Sequence, residues 1–132
     1  MHLVSALAPG QDWRLVKGFA EALAKAMAAD APGLFTAISS KERRKGRIYL
    51  DYLRNARGAS AVASYSLRAK PTFPVATPIA WDELRKLPGG NAFDRLSVVR
   101  RLDALAADPW DGLLSSSSAI TPKARRDVGM KT

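Results

Sequence analysis

Leu15, Val16, Phe19, Leu23 and Met27 recur at helical spacing, while Lys17, Glu21 and Lys25 lie four apart on the other side. The pattern predicts an amphipathic helix with Asp12 as N-cap, running to about Ala29 and ended by Asp30, Pro32 and Gly33. Ahead of it, the short apolar run His2–Leu7 predicts a buried strand, stopped by Pro9-Gly10. Leu34–Ile38 is a second candidate strand. Residues 47–53 then alternate: Ile48, Leu50 and Tyr52 share one face, Arg47, Tyr49, Asp51 and Leu53 the other. The first face should seal against helices and leave Asp51 partly solvated on the second.

Between these two strands lies a basic turn over 41–46, closed by Gly46. Residues 55–80 are rich in Gly, Ala, Ser and Pro and predict loop with short extended pieces at Ala61–Ser66 and Phe73–Ala76; Pro71, Pro74 and Pro78 disfavour helix. Trp81–Leu87 predicts a short helix ended by Pro88-Gly89-Gly90. Another spans about Leu96 to Ala107, with Val98, Val99, Leu102 and Leu105 as its core stripe and Pro109 as its stop. From Ser115 the chain has little to pack, which predicts a flexible tail over 115–132. Alternating strands and helices, with few strands, give an α/β (α+β) class: a small sheet packed by helices.

A length of 132 residues fits one domain with an ordinary core, and 47% hydrophobic with 25% charged residues is the composition of a globular protein. The absence of cysteine excludes disulfides and thiolate zinc sites. No apolar run approaches the roughly 18 residues of a membrane span, and MHLVSALAPG lacks the basic start and length of a signal peptide. Cytoplasm, in association with the nucleoid, is the expected location, with no membrane partner.

Charge changes the picture most. The net charge is +9, and +7 of it falls within residues 41–70, where Lys41, Arg43, Arg44, Lys45, Arg47, Arg54, Arg57, Arg68 and Lys70 face only Glu42 and Asp51. Such a run is as often a solvated face as a binding surface. Here it is interleaved with strand-forming residues, which favours a polyanion partner, nucleic acid first.

Asp51 is the exception within that run. A lone Asp is most often structural, paired with a neighbouring Arg or serving a turn. The functional alternative is a metal ligand: phosphoryl transfer uses divalent cations held by carboxylates, while Arg and Lys grip phosphates. Arg54, Arg57 and Arg68 are the best-placed cations for that task, and they would favour the ionised carboxylate.

GRIYLDYLRNARGASAVASYSLRAKP resembles the third motif region of the polymerase domain of bacterial ATP-dependent DNA ligase D, in the archaeo-eukaryotic primase superfamily. That family runs close to K-G-R-I-[FY]-[IL]-D-Y-L-R-N-x-R-G-x-[TS]-A-V-A-x-Y-S-x-R-A-[RK]-P. The likeness continues into PVATPIAWDEL and DPWDGL, reaches back to HLV, and covers roughly residues 2–114.

The resemblance implies that residues 1–114 are the C-terminal portion of a primase-polymerase fold. It implies Asp51 as a catalytic, metal-binding aspartate, with Mn²⁺ or Mg²⁺ as cofactor. His2 would be the histidine ending the motif S-G-x-x-G-x-H-V, contacting the triphosphate of an incoming nucleotide. Arg68, with Arg44 and Arg54, would contact phosphates of that nucleotide, while Lys41, Arg43, Lys45 and Arg57 would hold nucleic acid. The family's D-x-D motif, which supplies the other metal ligands, has no counterpart here, nor do the family's 5′-phosphate-recognising region and its ligase and nuclease modules. The metal is therefore expected only with an upstream half. Expected partners are DNA, a nucleoside triphosphate, and a separately encoded N-terminal half or ligase module.

Three readings follow. The chain is part of a non-homologous end-joining polymerase that adds a nucleotide to a 3′-OH when complete and is inactive alone; or a non-catalytic basic DNA- or RNA-binding fragment; or a degenerate remnant.

Overall fold

Helix α1 spans Trp13–Asp30 and begins where expected: Asp12 has extended backbone, and its Oδ1 accepts the Arg14 N–H at 3.3 Å. At the other end the Ala31 N–H donates to the Met27 carbonyl at 3.1 Å. The chain then turns into β1, Phe35–Thr36, which pairs in parallel with β2, Ile48–Tyr49. Phe35 stands opposite Ile48 and Thr36 opposite Tyr49, extended by Ile48 N–H to Leu34 O (2.8 Å) and Leu50 N–H to Thr36 O (2.9 Å). Parallel strands cannot be joined by a tight hairpin. Here the basic turn makes the return.

The computed structural model describes residues 1–130, which fall into two compact units. One unit holds α1, β1 and β2, from Leu7 to Ser60, together with the segment from Ser117 onward. That segment carries α3, Pro122–Asp127, started by Thr121, whose Oγ1 accepts the Ala124 N–H at 3.1 Å, with Pro122 at the first helical position. Leu7 forms an isolated parallel bridge with Ser118, and the Ile120 N–H donates to Gln11 Oε1 at 3.1 Å. Met130 lies on α1: a Cβ placed on Gly18 would come within 3.2 Å of its Cε.

The other unit comprises Met1–Ala6 and Ala61–Ser116. Its helix α2, Arg95–Ala104, opens on a capping box: Asp94 Oδ1 accepts the Ser97 N–H at 2.7 Å, and Ser97 Oγ accepts the Asp94 N–H at 2.8 Å. Residues 65–76 double back as a narrow hairpin. Its rungs are Tyr65 N–H to Ala76 O (2.7 Å), Ala76 N–H to Ser66 O (2.9 Å) and Arg68 N–H to Pro74 O (2.9 Å), around the antiparallel bridge Leu67–Val75. The Val75 N–H donates to Phe93 O at 2.8 Å, and Pro74, Val75 and Val98 are buried.

Several expectations are corrected. His2–Leu7 is not a strand; only Leu7 bridges, and the residues before Ala6 are exposed. The strand expected over 47–53 is confined to Ile48–Tyr49, so Asp51 lies beyond its carboxyl end. Trp81–Leu87 is a series of i-to-i+3 turns, because Glu83 folds back to accept the Ala80 N–H at 2.7 Å and reaches Arg101. In α2 the inward face is Val98, Arg101 and Leu105, with Val99 and Leu102 turned out. The segment expected as a flexible tail carries α3, and Ile120, Ala124 and Val128, each four apart, are half-buried. Residues 131–132 of that segment lie outside the described residues.

Candidate functional site

The basic turn follows from its sequence. Ser39-Ser40 leave β1's extension, the Arg44 N–H donates to Ser40 O (3.3 Å), the Lys45 N–H to Glu42 O (3.4 Å), and the Arg47 N–H to Arg44 O (3.0 Å). Gly46 takes φ +72, the left-handed conformation that lets the chain re-enter β2. Every residue from Lys41 to Ile48 is exposed. Among the described residues, Lys41, Arg43, Lys45, Arg47 and Arg57 have no carboxylate partner. Arg44 lies over the Tyr49 ring at 5.0 Å, a cation–π contact. Lys41, Arg43, Lys45 and Arg47 thus leave the turn with uncompensated positive charge, the kind of surface that phosphates favour.

Asp51 sits at the end of this surface. Its Oδ1 accepts the Leu53 N–H at 3.1 Å, an Asx turn that takes the backbone away from the strand ladder. Its Oδ2 lies 3.6 Å from Arg54 Nε, and both side chains are largely open to water, 40% and 62% exposed. Arg54 also donates from Nη1 to the Ser60 carbonyl at 2.9 Å, so it staples the 51–60 loop besides meeting the carboxylate. A cleft of about 620 Å³ beside β1 is lined by Lys25, Thr36, Ser39, Arg47 and Tyr52; Asp51 is not among its lining residues.

The structure thus brings Asp51 and Arg54 together and sets Arg44 on the same unit, with Lys41, Arg43, Lys45 and Arg57. His2 and Arg68 belong to the other unit. His2 is exposed; Arg68 is half-buried on the 65–76 hairpin, with its N–H bound to Pro74 O.

The divalent ion implied by the resemblance does not fit the donors in this chain. Among the described residues no three His, Asp or Glu side chains come together, and Asp51 offers a single carboxylate that accepts the Leu53 N–H and lies 3.6 Å from Arg54. A hard cation needs several oxygens at once.

Sequence reasoning missed a polar network in the unit that holds α2. Arg101 Nη1 and Nη2 grip Glu83 bidentately, Nη2 at 2.7 Å from Oε2, with Nη2 also 3.3 Å from Pro78 O and the guanidinium 5.2 Å from the Phe93 ring centre. The Arg101 hydrogen bonds hold the Glu83 carboxyl below its ordinary range, and Glu83 in turn raises Arg101. Nearby Tyr65 Oη donates to Asp108 Oδ2; burial first, then that hydrogen bond, push the phenol up to about 12. The available signal was Arg101 on an otherwise apolar stripe.

The family model for the LigD primase-polymerase domain matches residues 1–110. The chain belongs to that family. It is 42% identical over 98% of its length to the multifunctional non-homologous end joining protein LigD of Pseudomonas aeruginosa, covering 16% of that protein. Its identity to the LigD of Mycolicibacterium smegmatis is 34% over 73% of the chain, covering 13% of the relative. To the bifunctional LigD of Bacillus subtilis it is 33% identical over 54% of the chain, covering 12%. The chain therefore spans less than a fifth of the length of these relatives.

Proposed function

We propose that this chain is the C-terminal portion of an end-joining primase-polymerase domain, which holds DNA on its basic turn and is not competent for nucleotide transfer by itself. The observation that carries this reading is the LigD match over nearly the whole chain, joined to a 41–57 surface on which Lys41, Arg43, Lys45, Arg47 and Arg57 have no carboxylate partner among the described residues. Lys41, Arg43, Lys45 and Arg57 contact backbone phosphates; Arg44, held over Tyr49, presents its donors to a nucleotide or strand phosphate. His2 and Arg68 are assigned to the nucleoside triphosphate. Asp51 contributes one carboxylate to a Mn²⁺ or Mg²⁺ site whose remaining ligands lie outside these 132 residues, and to do so it must release Arg54. No helix among the described residues is long and apolar enough to cross a membrane. The proposed location is the cytoplasm, at the nucleoid.

The test is nucleotide incorporation on a gapped duplex, with the chain alone and with the upstream polymerase segment of a LigD added. Incorporation should appear only in the mixture and disappear with Asp51→Ala; activity that survives Asp51→Ala removes the metal-ligand role.

A binding-only role is the second reading, favoured by the Asx turn and ion pair that occupy Asp51. It predicts DNA affinity that falls steeply with salt and is unchanged by Asp51→Ala, with no incorporation in either setting.

A further inference from the structure

Among the described residues, three without the freedom of glycine adopt left-handed backbone, and all three lie in the 65–76 hairpin: Tyr65 (φ 60), Thr72 (φ 70) and Phe73 (φ 45). A β-branched and a bulky aromatic residue in succession at such angles is an outlier for side chains of these kinds. Strain of this sort persists only where the surroundings fix it, and it collects at functional positions. Here the surroundings do fix it. The Phe73 N–H donates to Lys70 O at 3.0 Å, Pro74 and Val75 immediately behind it are buried, and Tyr65 at the hairpin base is tied to Asp108.

This rigid mount does not bury the Phe73 ring. Phe73 is 64% exposed, although it adjoins the buried Pro74. Among the described residues, Lys70 on the same turn is exposed and has no carboxylate partner. An exposed aromatic ring beside a free lysine, on a chain of net charge +9, is the composition of a stacking platform for single-stranded nucleic acid. The ring meets a base while the Lys70 ammonium meets a flanking phosphate.

We infer that Phe73 stacks on an unpaired base of single-stranded DNA, with Lys70 holding an adjoining phosphate. This rests on the DNA-binding reading above and adds a contact outside the 41–57 surface. Because every base has a π face, the contact is indifferent to sequence.

The experiment uses the whole chain and a single-stranded oligonucleotide carrying 2-aminopurine, titrated at fixed salt. Phe73→Leu keeps the apolar volume and removes the ring; it should weaken binding about 5- to 150-fold and abolish quenching of the 2-aminopurine. Phe73→Trp should bind at least as tightly as the parent. Phe73→Gly relieves the backbone, so its melting temperature should hold or rise while binding falls as it does for Leu. An unchanged affinity in both the Leu and the Gly variants overturns the proposal while leaving salt-dependent binding by the basic turn intact. A parent chain that binds no DNA at low salt overturns the proposal and the DNA-binding reading together.

Discussion

Arg101 shows what one side chain decides. On α2 it shares the inward face with Val98 and Leu105 and reaches Glu83, Pro78 O and Phe93. With Glu83 it is partly buried, the two side chains 12% and 24% exposed. Charge-assisted bidentate bonds in such a setting are stronger than surface ion pairs. Arg101→Leu should therefore cost about 2 kcal/mol, read as a lower chemical-denaturation midpoint. Glu83 has a lowered pKa in the fold, as do Asp94 through the Ser97 bonds and Asp108 through Tyr65. A group so depressed contributes stability that is present above its unfolded value and lost as pH falls through the folded one. Melting temperature should thus hold from neutrality to about pH 5 and fall below pH 4, and Glu83→Gln should flatten that acid limb. A parent and variant that decline in parallel would remove this account.

At the level of elements, local chemistry was readable wherever a cap or a stop decided the outcome. Asp12 and the length of α1 follow directly from the 3.6-residue pattern, and the start of α2 lies within a residue of the expectation. The rest failed for identifiable reasons. Asp51 was read onto a strand because residues 47–53 alternate, but its own carboxylate captures the Leu53 N–H and ends the ladder first. The turns at 81–86 lost to Glu83's reach across the chain, which no local pattern displays. α3 was hidden behind four serines, although Ile120, Ala124 and Val128 keep helical spacing and Thr121-Pro122 is an ordinary start signal. Thr121→Ala should cost about 1 kcal/mol and, in hydrogen exchange, speed the amides of 124–128 more than those of α2. Of the candidate site, the cationic turn was legible as composition; the Asp51–Arg54 pairing was legible only as the bland alternative.

For the molecule as a whole, surface area is the informative quantity. A single compact protein of this mass exposes about 6,800 Å², and two separate globular units of half the mass about 8,200 Å² in total. This chain exposes 10017 Å². The excess over even the second figure, about 1,800 Å², is roughly twice what one partner buries in an ordinary protein–protein interface. It is contributed by side chains such as Trp13, Leu34, Ile38, Ile48, Trp81 and Leu114, all more than half exposed or nearly so. A two-stranded parallel sheet adds to the need for cover, since parallel strands are rarely left open to water. The isolated chain should therefore self-associate at tens of micromolar, with a light-scattering mass above 14.3 kDa, and bind a hydrophobic dye. A monodisperse monomer that leaves the dye dark would contradict this.

The cationic turn is also the sole link between β1 and β2, so whatever grips it shortens the freedom of the segment that must close before those strands can pair. Polyanion and fold are coupled through that loop: adding DNA should raise the melting temperature in proportion to the logarithm of its concentration, and raising salt should undo the gain. The repulsion among five neighbouring positive side chains opposes closing of the turn, and a polyanion bound there would relieve it.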